Sequence, residues 1–348
     1  MPCSPISRGE ADGGTMNYSR RDLLALAPGI GFVSVMGGTR AVRAQAGAPA
    51  RSRTIETPTL TIGFEESGDP QGFPVVLLHG FPDDARAFDG VAPPLANLGY
   101  RVIVPYLRGF GPTRIRDSRV RTGEQAAIGQ DVIDLMDALG VKRFAVSGYD
   151  WGGRAACIAT ALHRDRVRAA VLISGYLIQD TISDPQPAPP ERERAIWYQY
   201  YFNTERGRRG LEANRRSLCR LLWETWSPTW KFTDEEYNKT AASFDNPDFV
   251  DVVIHSYRHR IRNAPGEPRF EEMERVLAKR PRIEVPTIVL YPTDDGITGP
   301  PSKNDAGDKA SFSQLIDRRI VQGAGHFMPR EKPEAVASAL VDVLRATK

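Results

Sequence analysis

The chain is poor in cysteine and histidine, has no excess of either charge and contains no long apolar run. Each shortage removes a class of protein. Only three of the 348 residues are Cys, and Cys3 stands in an N-terminal segment set apart below, so a disulfide-built scaffold is excluded. Cys157 and Cys219 read as free buried thiols. Neither stands in a CxxC pair or at metal-ligand spacing, so no zinc site is expected. Lys plus Arg total 46 against 43 Asp plus Glu, a formal charge of +3 that leaves no footprint for a nucleic-acid partner. There is no internal repeat and no low-complexity tract beyond one proline loop. What remains, 41% hydrophobic and 26% charged with a mean hydropathy of −0.37, is the composition of an ordinary folded chain long enough for a sizeable core.

Residues 1–46 stand apart. Ser19-Arg20-Arg21-Asp22-Leu23-Leu24 opens a moderately apolar stretch, broken by Pro28, Gly29 and Gly31, that ends in Ala44-Gln45-Ala46. It resembles a twin-arginine export signal with a small-residue cleavage site, and is too short and Gly-rich for a stable membrane span. The residues before Met16 read as an upstream extension. Periplasmic or secreted localisation is therefore expected, with the twin-arginine export machinery as a partner. The segment holds five Arg and three acids, leaving 41 basic against 40 acidic residues in a nearly neutral remainder.

Residues 59–64 alternate like a half-buried strand, and Ser67-Gly68-Asp69-Pro70 is a turn cluster. Pro74–Gly80, Arg101–Pro105, Phe144–Ser147, Ala169–Ile173 and Pro286–Leu290 are short continuous apolar runs, the pattern of strands covered on both faces. Residues 124–139 place Ile128, Val132, Leu135, Met136 and Leu139 on one helical face before Gly140, and residues 331–345 do the same with Val336, Leu340 and Leu344. Alternating strands and helices predict an α/β fold with a mostly parallel, doubly wound sheet. The alternation stops near 179. A stiff loop, Asp184-Pro-Gln-Pro-Ala-Pro-Pro190, leads into about a hundred residues rich in Trp, Tyr, Phe and Arg without a strand-like run, which read as a helical cap. The expected organisation is a signal and extension at 1–46, core at 47–178, cap at 179–275 and core again at 276–348.

Strand Phe144–Ser147 runs into Gly148-Tyr149-Asp150-Trp151-Gly152-Gly153, with a helix expected from near Arg154. Small residues flanking one reactive position are what a tight strand-to-helix turn needs to present a side chain at the sheet edge. Together with His79-Gly-Phe-Pro82, Arg108-Gly-Phe-Gly111, an acid after a late strand and Gly325-His326-Phe327, in that order, the sequence resembles the α/β-hydrolase superfamily over roughly 55–348. Within it the likeness is to the epoxide hydrolase and dehalogenase branch, whose nucleophile is an aspartate, here Asp150.

The chemistry of that residue narrows the substrate. A carboxylate attacking an ester would form an anhydride and gain little, whereas attack on a saturated carbon with a leaving group gives an alkyl ester that water can cleave. The substrate is thus expected to be a small epoxide or alkyl halide. The resemblance assigns the base that activates this water to His326, and a structural role to His79. His163, and His255 with His259 one helical turn apart, remain outside the expected site. The orienting acid falls in Tyr291-Pro292-Thr293-Asp294-Asp295-Gly296. Pro292 stands where the family has Gly, which leaves Asp295 as the favoured acid and Asp294 as the alternative. By position, the backbone N–H groups of Phe81 and Trp151 form the oxyanion hole.

An epoxide leaves as an alkoxide, which needs a proton donor opposite Asp150. Trp197-Tyr198-Gln199-Tyr200-Tyr201-Phe202 and Ser256-Tyr257-Arg258 resemble the two cap motifs of epoxide hydrolases and map the ring-opening tyrosines onto Tyr198 and Tyr257, with Tyr200 or Tyr201 as alternatives. Phe81 stands where haloalkane dehalogenases tend to have Asn, and Trp151 where fluoroacetate dehalogenases have Arg. An arginine clamp for a substrate carboxylate is therefore not evident, although Arg108 and Arg114 are candidates. Trp197, Trp223, Trp226 and Trp230 either line an apolar pocket or fill the cap. The reading is an epoxide hydrolase that needs no metal or organic cofactor; a dehalogenase using the same triad is the alternative. A non-catalytic ligand-binding homologue is a third, which the fold alone admits.

Overall fold

The computed structural model describes residues 50–347, so the export signal expected within 1–46 lies outside the described residues. Nine strands form one mixed sheet: β1 Arg51–Glu56, β2 Leu60–Gly68, β3 Pro74–Leu78, β4 Arg101–Pro105, β5 Arg114–Ile115, β6 Phe144–Gly148, β7 Val167–Ile173, β8 Thr287–Pro292 and β9 Leu315–Val321. The order is β1-β2-β4-β3-β6-β7-β8-β9, with the two-residue β5 paired to β2. Pairings from β4 through β3, β6, β7 and β8 to β9 are parallel, and β2 is antiparallel to β1, β4 and β5.

The apolar runs become the middle of this sheet. β6 is buried at every position and β3 at four of five, as strands with side chains covered on both faces must be. The helices α1 Ala92–Asn97, α2 Gln125–Ala138 and α3 Asp150–Leu162 follow β3, β4 and β6 in the chain. Ile128, Val132, Leu135 and Met136 of α2 are buried, and Gly140 takes a φ of 67° just past the helix, where a Cβ would be strained. One expectation fails here: α3 begins at Asp150 itself, not near Arg154, because β6 turns into the helix within two residues and the presented side chain already sits in its first turn.

Between β7 and β8 the chain forms six α-helices, two short 3₁₀ turns and no strand: α4 Pro190–Ala195, α5 Trp197–Phe202, α6 Glu205–Trp226, α7 Asp234–Ala241, α8 Phe249–His259 and α9 Glu271–Ala278. The boundary expected after 275 falls inside α9. The buried Glu274 of that helix accepts from the Gln125 amide and the Ala126 N–H of α2, so α9 packs with the core. After β8 come α10 Ala306–Ser311, α11 Met328–Glu331 and α12 Pro333–Ala346, whose Val336, Leu340 and Leu344 are buried as their spacing predicts.

Candidate active site

Asp150 stands just beyond the C-terminal end of β6, in the middle of the sheet, where doubly wound folds place their ligands. Its φ is +50°, a left-handed conformation that costs an L-residue of order 1–3 kcal/mol. The turn is tight enough to demand glycine around it. A Cβ at Gly152 would lie 2.1 Å from the Leu78 carbonyl oxygen, and one at Gly80 would lie 2.6 Å from the Asp150 Cβ. Those two absent side chains let the carboxylate meet the His79-Gly80-Phe81 turn, where the Phe81 N–H donates to Asp150 Oδ1 at 2.8 Å.

The loop after β9 places His326 opposite. Its Nε2 lies 3.8 Å from Asp150 Oδ2, and its Nδ1 lies 3.0 Å from Asp295 Oδ2. The other oxygen of Asp295 accepts from the backbone N–H groups of Ile297 and Thr298 at 2.7 and 3.1 Å. Burial raises the pKa of Asp295, but His326 and these donors outweigh it and hold the carboxyl below its ordinary value. Burial likewise opposes the imidazolium of His326, yet Asp295, the bond between them and Asp150 hold its pKa above the ordinary 6.5. Of the two adjacent aspartates, Asp295 faces the imidazole. Asp294 points elsewhere, to the hydroxyls of Thr229 and Thr293.

The cap brings two tyrosines close enough to feel the charge of the carboxylate. Tyr198 of α5 and Tyr257 of α8 are both buried, with ring centroids 5.3 Å apart and planes at 89°. Burial, then the charge of Asp150, pushes the Tyr198 hydroxyl up to about 12; burial raises Tyr257 well above its usual value. Both are therefore proton carriers at neutral pH. Tyr198 accepts a bond from the Gln199 amide at 3.2 Å, while the Tyr257 hydroxyl and the Trp151 indole N–H neighbour one another without a hydrogen bond of normal geometry, and His326 Nε2 has no hydrogen-bond partner among the described residues. Buried polar groups left short of a good hydrogen bond each cost about 1–3 kcal/mol, a cost a bound ligand can offset.

A cavity of about 460 Å³ opens on this group, lined by Asp150, His326 and Tyr198 with Arg154, Arg192, Arg260 and Arg280. None of Trp197, Trp223, Trp226 and Trp230 lines it. Trp197 is partly exposed, Trp223 donates to the Pro82 carbonyl, and Trp226 packs against Tyr198 and His326 with centroids 4.8 and 5.0 Å away. Tyr200 is exposed and bonded to Glu193, and neither it nor Tyr201 lines the cavity. The two arginines named from sequence are also elsewhere. Arg108 is clamped on Asp131 by two 2.7 Å bonds, and Arg114 donates to the Gly111 and Thr113 carbonyls. Sequence reasoning missed Arg154 and Arg260; the signal was their spacing, i+4 from Asp150 and i+3 from Tyr257, each pair on one helical face.

The remaining histidines have other partners. His79 Nδ1 donates to the Gly80 carbonyl and Nε2 accepts from the Leu107 N–H, and burial drives its pKa down to about 4, so it is a neutral tether for the turn. His163 ends α3. His255 stacks on His259, accepts from the Gly123 N–H and donates to the Pro265 carbonyl. No group of three or more metal-type ligands occurs among the described residues. Cys157 and Cys219 are free and buried. A second cavity, about 530 Å³ and lined by Glu124, His259, Glu267 and Glu274, contains none of the groups gathered at Asp150.

A sheet of this topology, with a helical excursion after β7 and an acid presented at the β6 elbow, defines the class. The chain belongs to the alpha/beta hydrolase fold family, whose model matches residues 74–333. Its structure is similar to a crystal structure from Klebsiella pneumoniae, of a protein provisionally assigned as an epoxide hydrolase, at 40% identity and a TM-score of 0.81, covering 85% of this chain and 97% of that one. It is 25% identical over 329 residues to epoxide hydrolase A of Mycobacterium tuberculosis, covering 86% of this chain and 98% of that protein. It is also 34% identical over 127 residues to a haloalkane dehalogenase of Mycobacterium marinum, covering 35% of this chain and 41% of that one. With such relatives the chain is a hydrolase.

Proposed function

We propose that this hydrolase opens epoxides through a covalent ester on Asp150. The observation that carries the reading is the placement of two proton-bearing tyrosine hydroxyls, Tyr198 and Tyr257, near a carboxylate held by the Phe81 N–H and faced by the His326–Asp295 pair. Asp150 attacks a ring carbon, the C–O bond breaks with its electron pair on oxygen, and a tyrosine hydroxyl gives that oxygen its proton. His326 Nε2, 3.8 Å from Asp150 Oδ2, then takes a proton from water as the water attacks the ester carbonyl. Asp295 holds the imidazole and offsets the charge it acquires. The Phe81 N–H, and that of Trp151 in the first turn of α3, receive the negative charge that develops on the carbonyl oxygen. The ester C–O bond then breaks with its electron pair on the diol oxygen, which takes the proton held by His326, and the carboxylic acid left at Asp150 gives its proton to the tyrosinate as the diol leaves.

The unpartnered indole N–H of Trp151 favours a second reading, in which it cradles a departing halide. Intact-protein mass spectrometry separates the two. His326→Gln should accumulate an adduct on Asp150, and with a panel of epoxides, haloalkanes and haloacetates the expected gain is the whole epoxide mass. A gain equal to an alkyl halide minus the hydrogen halide would make the protein a dehalogenase. No adduct with any member would overturn the covalent scheme. The proposal extends to an exported enzyme: replacing Arg20 and Arg21 with lysine should retain the protein in the cytoplasmic fraction.

A further inference from the structure

Buried guanidinium groups in this protein normally meet a carboxylate. Arg108 meets Asp131, and Arg330 meets Asp83. Arg154 does not. It is only 6% exposed, its Nε is satisfied by the Leu177 carbonyl at 3.1 Å, and it makes no ion pair among the described residues. Its neighbour in charge is another cation, Arg260, which also makes no ion pair and lies over the rings of Tyr257 and Trp151 at 4.3 and 5.7 Å. Burial and then Arg260 hold Arg154 down to about 10, with Asp150 acting the other way, so the group is still a cation at neutral pH. Four arginines, Arg154, Arg192, Arg260 and Arg280, share this cavity with two carboxylates, Asp150 and Asp180, and the excess of positive charge, costly to bury, is well suited to receive a further anion.

Their placement fixes where that anion would sit. Arg154 follows Asp150 by one turn of α3, and Arg260 follows Tyr257 by three residues at the end of α8, so the cationic pair adjoins the nucleophile and the proton donor. With Nε engaged, the two terminal nitrogens of Arg154 form a fork that matches a planar carboxylate. Arg192 and Arg280 line the same cavity and add to its positive field. A negatively charged substrate would otherwise be repelled by Asp150, and the arginines remove that barrier.

Resting on the epoxide reading above, we infer that the substrate is a small epoxide bearing a carboxylate close to the ring, with the ring at Asp150 and the carboxylate on Arg154 and Arg260. The test compares glycidate with glycidamide, which has the same shape without the charge, on the full-length protein. Wild type is expected to favour glycidate in kcat/KM by about 50-fold or more, the worth of a charge-assisted contact. That ratio should fall to near one in Arg154→Gln, fall less in Arg260→Gln at its partly exposed helix end, and recover in part in Arg154→Lys. Equal use of both substrates by wild type, or an unchanged ratio in both glutamine variants, would overturn the inference. Calorimetric titration of Asp150→Asn with glycidate separates this failure from that of the hydrolase reading. Binding that Asp150→Asn retains and the Asp150→Asn/Arg154→Gln double variant loses supports the carboxylate subsite even if wild type opens no epoxide. Turnover of neutral epoxides without glycidate binding removes the subsite and leaves the epoxide reading intact.

Discussion

Two buried arginine clusters lie a short way apart in this molecule and are built on opposite rules. Around Arg330, beneath the cap, every charge is matched: the guanidinium makes three bonds to Asp83, a fourth to Thr240 and an ion pair with Asp84, and Asp83 also accepts from the Tyr149 hydroxyl. Around Arg154, in the cavity, a second cation acts against the first, Asp150 offsets them only in part, and the Tyr257 hydroxyl and Trp151 indole lack a hydrogen bond of normal geometry. The first cluster ties α11 to the turn after β3 and holds the elbow's surroundings in place. The second leaves its polar capacity open. Buried charge that serves the fold is satisfied within the chain, and buried charge left unsatisfied marks where a ligand completes the set.

The pair at the border of the two regions gives the largest expected effect. Asp295→Asn should lower turnover by about 10³- to 10⁴-fold, because the imidazole loses both its orientation and the charge that offsets its protonation. The sign of the pH effect follows from the raised His326 pKa. In the proposed scheme His326 acts as a base only when neutral, so the single-turnover rate of ester hydrolysis should rise with pH through a value above 6.5, and that limb should move down in Asp295→Asn. Asp294→Asn, whose partners are threonines, should leave the limb where it is; a shift there as large as that of Asp295→Asn would reverse the assignment of the acid.

The matched cluster comes next. Arg330→Met leaves Asp83 and Asp84 buried beside one another without their cation, and the expected loss is about 3–5 kcal/mol of unfolding free energy, measured by urea titration. Burial and Asp83 already push Asp84 up to about 6 against the pull of Arg330, so the variant's deficit should shrink as the pH falls and the pair takes up a proton. Arg154→Met should cost far less in the same titration, since that guanidinium makes no ion pair among the described residues and gives up only its bond to the Leu177 carbonyl and the attraction of Asp150. An equal loss in both variants would erase the distinction between the clusters.

How much of this could be read beforehand follows from which physical constraints leave a mark in sequence. The sheet was legible because strands covered on both faces must be apolar at successive positions, as Val75–Leu78 and Val171–Ile173 are. The elbow was legible because backbone approaches of 2–3 Å admit only glycine at positions such as 80 and 152. β1, with Arg51, Ser52, Arg53 and Thr54 all exposed, has no apolar period and escaped notice, as did the two-residue β5. The character of the cavity was illegible for another reason. The cap's tryptophans left an apolar lining and a filled cap equally open, and the rings pack against one another, as Trp223 does with Trp230, Phe232, Tyr237 and Phe327. Arginines read as a solvated face until the fold turns Arg154 and Arg260 inward, and Arg108, which stood in a family motif, was spent on Asp131.

The smallest expected effect tests the comparison most directly, because it inverts the usual sign. Tyr257→Phe removes a hydroxyl that is fully buried and without a partner, while the ring keeps its packing on Phe81, Tyr198 and Phe202. If that hydroxyl served the fold, its loss would destabilise the protein. An orphan group instead carries its desolvation cost in the folded state alone, so the variant should unfold at equal or slightly higher urea concentration, a gain of up to about 1 kcal/mol. Ring opening, measured as the rate of adduct formation in a His326→Gln background, should fall by about 10²-fold in the same protein, since one of the two proton donors of the proposed scheme is gone. Stability lost together with rate would place Tyr257 among the matched groups and return it to packing. Stability kept or gained while rate falls is the signature of a side chain whose partner is the substrate.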